Sequence, residues 1–414
     1  MSAAATSPGS HPLYGPVTAL LLAGMLVFIY TVGIGILNGV DAVDFDRQVL
    51  LSHVHSGTLG WITIGVFAAS LWLFGANDTT EKMKRSVRVH TIMAIVTLPL
   101  FAVSFAFTSG TVRAVLGLLA LLTILAFTAW AFRRIRSVEM TAPHLGFLAA
   151  LVTSVTGGLI GVLLAAEIAQ GWNLGPDGMT GAHPATMVVG FLTPIGMALG
   201  EWGLRRGNLE RLTTGGKVQV AFPFVGGVLL MFGVLFDITP LPPIAALLNL
   251  VGIIILFVRM RRELLGVRWL RPSLTRYAAV ASIALLLSTI FLNVLAARYE
   301  GDLDQATRSE ILALDHTMFI GVLTMALFVL LHALSSADAR FPKLDHVVFF
   351  GIIIGIVGFV VAQLADATPV MHSSTPIMGL SILLGMALSA YSLLSGGAHE
   401  TTGASRAPQP TGAR

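Results

Sequence analysis

The sequence predicts an all-α integral membrane protein of twelve transmembrane helices, and two observations carry that fold class. Of 414 residues, 55% are hydrophobic and only 11% are charged, against about 25% charged in an average soluble domain; mean hydropathy is +0.84. The apolar residues also gather into runs of the length that crosses a bilayer, about 20 residues. The same figures exclude wholesale disorder, which requires low apolar content. The absence of cysteine removes disulfides, thiolate nucleophiles, iron–sulfur clusters and cysteine-based zinc sites together.

In chain order the runs fall at 14–38, 51–75, 87–108, 112–132, 144–168, 184–204, 217–237, 241–260, 275–297, 310–334, 346–365 and 373–395, read from hydropathy and length alone. Residues 1–12 are rich in Ala, Ser, Thr and Gly with no basic start, so a disordered head is expected there rather than a signal peptide. Residues 13–396 form one membrane domain with short connections, and 397–414 are expected as a disordered tail.

Lysine and arginine orient the bundle. Lys82, Lys84, Arg85 and Arg88 follow the second run, Arg133, Arg134 and Arg136 the fourth, and Arg205, Arg206, Arg211 and Lys217 the sixth. A cluster from Arg259 to Arg276 follows the eighth run, and Arg340 and Lys343 the tenth. The opposite loops hold only Arg47, Arg113, Arg298 and Arg308. Both termini are therefore expected on the cytoplasmic side of a bacterial inner (plasma) membrane, with lipid as the surrounding partner. The net charge of +4 reflects this topology and not nucleic-acid binding.

That topology sorts the histidines. His53 and His55 open the second helix, His183 the sixth, His316 the tenth and His372 the twelfth, all near the outer ends of helices returning inward. His90, His144, His332 and His346 fall near the inner face, where a hydrogen-bonded structural role is expected, and His11 and His399 belong to the tails. Glycine follows each outer histidine within two turns: Gly60 after His55, Gly190 after His183, Gly321 after His316 and Gly379 after His372. A missing side chain there admits a flat ring or a neighbouring helix, and the recurrence suggests an internally repeated build.

Residues two apart on an α-helix point about 200° away from each other, so His53 and His55 cannot both ligate one iron. They can serve two centres on opposite sides of the helix, or one can ligate while the other donates a hydrogen bond. A bis-histidine haem draws its second ligand from another helix at the same depth, which makes His183, His316 and His372 the candidates. Other roles remain open for two of these segments. His183 precedes Pro184, a residue favoured in a first helical turn, and Asp315 beside His316 can fix an imidazole tautomer or cap the helix.

The segment His53-Val-His55-Ser56-Gly57-Thr-Leu59-Gly60-Trp61 resembles the part of the haem–copper oxidase superfamily, in its cbb3-type catalytic subunit, that carries the ligands of the high-spin and low-spin haems. His183-Pro184 followed by Gly190-Phe191-Leu192 is similar to the helix giving that family its first copper-ligand histidine. The resemblance implies an oxidase subunit I-like bundle holding one or two b-type haems, with His55 (or His53) and His316 as axial ligands of a bis-histidine haem and His183 facing the remaining centre. In that family the paired histidines lie on the tenth helix, whereas here they lie on the second. The family's adjacent copper-ligand histidines are missing where Phe236-Asp237-Ile-Thr239-Pro240 closes the seventh helix, which leaves copper doubtful. A looser resemblance joins the chain to NnrS-type haem membrane proteins of the nitric-oxide response.

On this reading the expected metal ligands are His53, His55, His183 and His316, and His372 and Arg47 join them around the cofactor. Arg47 lies six residues before His53 and, with Arg298 and Arg308, can clamp haem propionates. Trp61 and Trp72 can pack a porphyrin or simply the core. Glu167 and Glu201 are the few intramembrane acids. The expected role is respiratory and redox: electron transfer from a cytochrome c-like or quinol donor, or reaction with a diatomic gas (O2 or NO), with partner subunits. If the protein is an enzyme, it is an oxidoreductase. The rival class is a twelve-helix secondary transporter.

Overall fold

A computed structural model describes residues 11–76, 80–108 and 110–403. Among the described residues twelve helices are long and apolar enough to cross a membrane: Tyr14–Gly39, Arg47–Phe74, Glu81–Phe107, Gly110–Ser137, Ala142–Gln170, Met179–Leu204, Thr214–Leu235, Leu241–Arg259, Leu274–Arg298, Arg308–Ser335, Pro342–Ala365 and Thr368–Ser395. We number them spans 1 to 12. No strand occurs among the described residues, and the protein is an all-α, multi-pass membrane protein.

Most of the expected head lies outside the described residues. His11, at its end, stacks on Trp72 with ring centroids 4.1 Å apart and bonds the Trp72 carbonyl through Nε2 at 3.1 Å. At the other end the helix of span 12 runs on to Gly403, past the expected tail boundary at 397; residues 404–414, like 1–10, lie outside the described ones.

Three spans form the centre. In spans 2, 6 and 10 the apolar windows are 78%, 89% and 83% buried, against 28–56% in the other nine. These three touch one another directly. Trp61 of span 2 donates through Nε1 to Thr324 Oγ1 of span 10 at 3.2 Å, and Val322 of span 10 packs so close to Gly196 of span 6 that a Cβ there would meet it at 2.6 Å. The other spans pack around them in three groups, 11–12–1, 3–4–5 and 7–8–9. Their outward faces carry exposed Leu26, Val96, Leu118, Ile254 and Val357, the apolar surface that lipid covers.

Each central span is an α-helix broken by one π-helical segment: Ser56–Thr63, Thr186–Leu192 and Thr317–Thr324. Such segments widen the helix locally and concentrate at functional sites. Threonine hydroxyls bind the displaced carbonyls, Thr63 Oγ1 to Thr58 O at 2.9 Å and Thr324 Oγ1 to Phe319 O at 2.8 Å. In span 6, Thr153 of span 5 does so from outside, reaching Gly190 O at 2.6 Å.

Placed in register on these segments, 53–65, 183–195 and 314–326 align without a gap. Ser56, Thr186 and Thr317 open the π turn; Gly60, Gly190 and Gly321 follow; Thr63, Thr193 and Thr324 close the set. The three glycines face equivalent neighbours, Val27 of span 1, Thr153 of span 5 and Ala284 of span 9. The bundle is thus a threefold repeat of four spans, with spans 2, 6 and 10 as counterparts.

Spans 2, 3, 6, 11 and 12 start four to six residues earlier than the hydropathy reading. Span 2 begins at Arg47, capped by the Asp46 side chain accepting from Val49 N at 2.8 Å. Span 6 begins at Met179, so Pro184 is internal to the helix and not in its first turn. Its missing N–H removes one helical hydrogen bond just before the π turn, and the helix-start role for His183 falls away.

Candidate functional site

A cavity of about 730 Å³ opens between spans 1, 2, 10, 11 and 12, within the size range of small-molecule and cofactor sites. His53 and His316 both line it. His53 Nδ1 lies 2.9 Å from the Thr31 carbonyl of span 1, and His316 Nδ1 lies 2.9 Å from its own span's Leu312 carbonyl. A carbonyl only accepts, so each Nδ1 carries a proton, and in the neutral ring each Nε2 keeps its lone pair. Neither Nε2 has a hydrogen-bond partner among the described residues. This is the state a metal-ligating imidazole requires, with a backbone bond fixing tautomer and orientation.

The walls are apolar and aromatic. Phe359 of span 11 lies 4.4 Å from the His316 ring, while Trp61 and Met378 close the deep side. At the mouth stand Arg47 and Arg308, both exposed and without an ion pair among the described residues. Arg298 is committed elsewhere, donating to Glu310 Oε1 at 2.8 Å, where Glu310 also completes a capping box with Thr307. Because Thr307 caps span 10 and Leu312 holds the imidazole, Asp315 performs neither role expected of it. Its side chain lines the cavity.

His55 turns to the other side of span 2. Its Nδ1 bonds its own span's Leu51 carbonyl at 2.8 Å, and His183 Nδ1 bonds the Gly157 carbonyl of span 5 at 2.8 Å. The two rings face each other with centroids 6.4 Å apart and planes 10° from parallel. Phe105 stacks on His55 at 3.9 Å. The structure therefore brings His53 and His316 to one cavity and sets His55 beside His183 on the other side of span 2.

His372 joins neither pair. Its Nε2 lies 2.9 Å from Asp41 Oδ2, and both side chains are substantially exposed, at 39% and 67%. Trp72 stacks on His11, far along span 2 from the cavity that Trp61 lines. Glu201 is held by Arg259, at 2.8 and 2.9 Å, and by Gln219 at 3.0 Å, which makes it a buried ion pair. The sequence did not mark Phe359, Phe105, Thr31 or Gly157 as parts of a site; each is an ordinary residue of an apolar span, and only packing gives it a role.

Of the inner histidines, His144, His332 and His346 are hydrogen-bonded as expected, whereas His90 meets Phe127 edge-on and its buried Nδ1 has no hydrogen-bond partner. His144 bonds Thr141 and the Leu73 carbonyl, at 2.7 and 3.1 Å. His332 bridges the Phe328 carbonyl and Asp345 at 2.6 and 2.8 Å. Asp345 also binds Tyr277 at 2.6 Å and pairs with the fully buried Arg276, and Arg276 reaches His346 at 3.0 Å.

Among the described residues no three His, Asp or Glu side chains gather around one point. The imidazoles come in twos. A protein-bound zinc ion takes three or four protein ligands, whereas a porphyrin supplies four nitrogens itself and asks the protein for axial ligands only; the donor set fits haem. No family model matches the chain, and no curated protein matches it.

Proposed function

We propose that this is a respiratory-type haem protein of a bacterial inner membrane, in which His53 and His316 are the axial ligands of a b-type haem in an oxidase subunit I-like bundle. The observation that supports it is the pair of imidazoles from two separate spans, each pinned through Nδ1 to a backbone carbonyl and both lining one cavity. When bound, haem iron supplies one-electron chemistry whose potential is set by axial ligands and burial.

The chain's own residues do the rest. Thr31 and Leu312 carbonyls hold the imidazoles in the ligating tautomer. Phe359, Trp61 and Met378 exclude water from the plane between the spans. Arg47 and Arg308 offer guanidinium partners to propionates at the mouth. Were His53 and His316 both to hold the iron, no ligand position would remain for a gas, which favours electron transfer. The basic inner loops support a cytoplasmic position for both termini and an outward-facing mouth, where Asp41 and Asp44 suit a basic, cytochrome c-like donor.

The test is a reduced-minus-oxidised spectrum, with haem per chain, of the purified protein and of His53→Ala and His316→Ala. A low-spin b-type signal lost from the His316 pair in both variants is expected. A colourless wild type, or a signal unchanged in both, overturns the reading.

A further inference from the structure

The end of the bundle that bears the basic loops holds a further cavity, of about 750 Å³, between the loop after span 6, the start of span 9 and the loop after span 10. We propose that this cavity binds the phosphate of an anionic phospholipid headgroup. The site is independent of the haem reading, because it lies at the other end of span 10 from His316 and its cavity.

Three guanidinium groups, those of Arg206, Arg268 and Arg271, line the cavity against one carboxylate, that of Asp338. None of the three makes an ion pair among the described residues, although arginines near them in the chain do: Arg205 with Glu210 at 2.7 Å, and Arg276 with Asp345. An anion in the cavity is attracted by all three at once, and guanidinium binds phosphate through paired, charge-assisted hydrogen bonds. Arg206 is held in the left-handed conformation, at φ +51°, which is uncommon for a residue other than glycine, asparagine or aspartate. Span 9 opens on the same space. Its N-cap, Ser273, makes no capping bond with its side chain, so the positive end of the helix is left for an anion. The Ser273 and Thr275 hydroxyls, 3.0 Å apart, add donors to the lining.

The loop between spans 8 and 9 favours a lipid over a free phosphate ion. Leu264 and Val267 pack on the core and hold the loop to the bundle. Leu265 and Leu270, by contrast, are the two most exposed large apolar side chains among the described residues, at 88% and 80%, and Trp269 beside them is also exposed. Leucine and tryptophan set between arginines are the composition of a segment that lies in the interface of a bilayer. With Leu265, Trp269 and Leu270 in the acyl boundary, the neighbouring arginines stand at the level of the headgroup phosphates.

The test titrates the full-length protein, stripped of lipid in an uncharged detergent, with short-chain phosphatidylglycerol, with phosphatidylcholine of the same chains and with inorganic phosphate, and counts retained lipid by native mass spectrometry. Tighter retention of phosphatidylglycerol than of phosphatidylcholine is expected. Each of Arg206→Gln, Arg268→Gln and Arg271→Gln should weaken it about fivefold, and Leu265→Ser with Leu270→Ser should weaken it as well. Arg261→Gln with Arg262→Gln changes two exposed arginines of the same loop that do not line the cavity, and should leave retention unchanged. Equal retention of the two lipids, or a loss from the Arg261 and Arg262 variant as large as from the cavity variants, overturns the site. Displacement of the lipid by inorganic phosphate, with no effect of the leucine variant, makes this a free-anion site and overturns the lipid. The three cavity arginines are exposed; should a variant still lose helicity by circular dichroism, the preference of the wild type between the two lipids decides alone.

Discussion

Two of the three lobes of this bundle carry facing histidines, and the third carries none. In the lobe of spans 7, 8 and 9, the register positions that hold His55 and His316 elsewhere hold Ala185, and the position of His53 and His183 holds Leu314. Leu314 is buried in an apolar cluster with Val189, Leu230, Leu292 and Leu295, and Ala185 packs against it. Yet this lobe keeps the framework: the π turn in both flanking spans, the glycine and the closing threonine. The repeat therefore separates the scaffold from the site. The scaffold is built three times, and only two of its lobes carry a histidine pair on it.

The largest effect is expected where the third lobe is forced to imitate the others. Ala185→His with Leu314→His buries two imidazoles in a packed apolar cluster, and an unsatisfied buried polar group costs about 1–3 kcal/mol, added to the lost leucine packing. A clear fall in thermal midpoint is expected, with haem per chain unchanged. A gain of one haem would show that the register alone builds a site and that cavity shape is secondary.

A graded effect is expected from the two glycines beneath the paired rings. Gly161→Ala sets a methyl 2.7 Å from His183 Cε1, while Gly35→Ala sets one 3.2 Å from His53 Cε1. The first distance forces the imidazole to move and the second asks for a few tenths of an ångström, so Gly161→Ala should lower the thermal midpoint more than Gly35→Ala, which should also loosen the haem held by His53. Thermal midpoint and haem retention under dilution measure the two. Equal falls in midpoint, or the reverse order, would break the equivalence of the lobes. Smaller still is the rim: Arg47→Gln with Arg308→Gln removes two exposed charges, each worth about 1 kcal/mol or less, and should speed haem loss modestly while leaving the spectrum in place.

Much of this was legible in the sequence because the bilayer fixes it. Twelve runs of crossing length gave twelve spans, and the offset of two residues between His53 and His55 sent them to opposite sides of one helix. The partner of each was not legible, because lateral neighbours in a bundle are set by packing and not by depth. The glycine rhythm hinted at repetition but aligned His183 with His55; the π turns show that its counterpart is His53. Helix starts moved outward at Arg47 and Met179 because polar first turns are held by capping and tertiary contact, which hydropathy does not see. Arg276 read as a loop charge for the same reason, although it is wholly buried against Asp345.

His372 gives the sharpest contrast with the four paired histidines and the smallest expected effect. It stands at a comparable depth and is followed by a glycine, as they are, so the sequence grouped it with them. The four tie down Nδ1 on a backbone carbonyl; His372 spends Nε2 on Asp41 at 2.9 Å, at an exposed position where such a pair contributes about 0–1 kcal/mol. Gly379 below it admits Ile36 and Val32 of span 1 and no ring. His372→Ala should therefore leave haem per chain and the reduced-minus-oxidised spectrum as in the wild type, with at most a slight change in thermal midpoint. Loss of a haem from this variant would mean that depth, and not the register of the π turns, selects the ligands, and the contrast between the paired histidines and this one would fail with it.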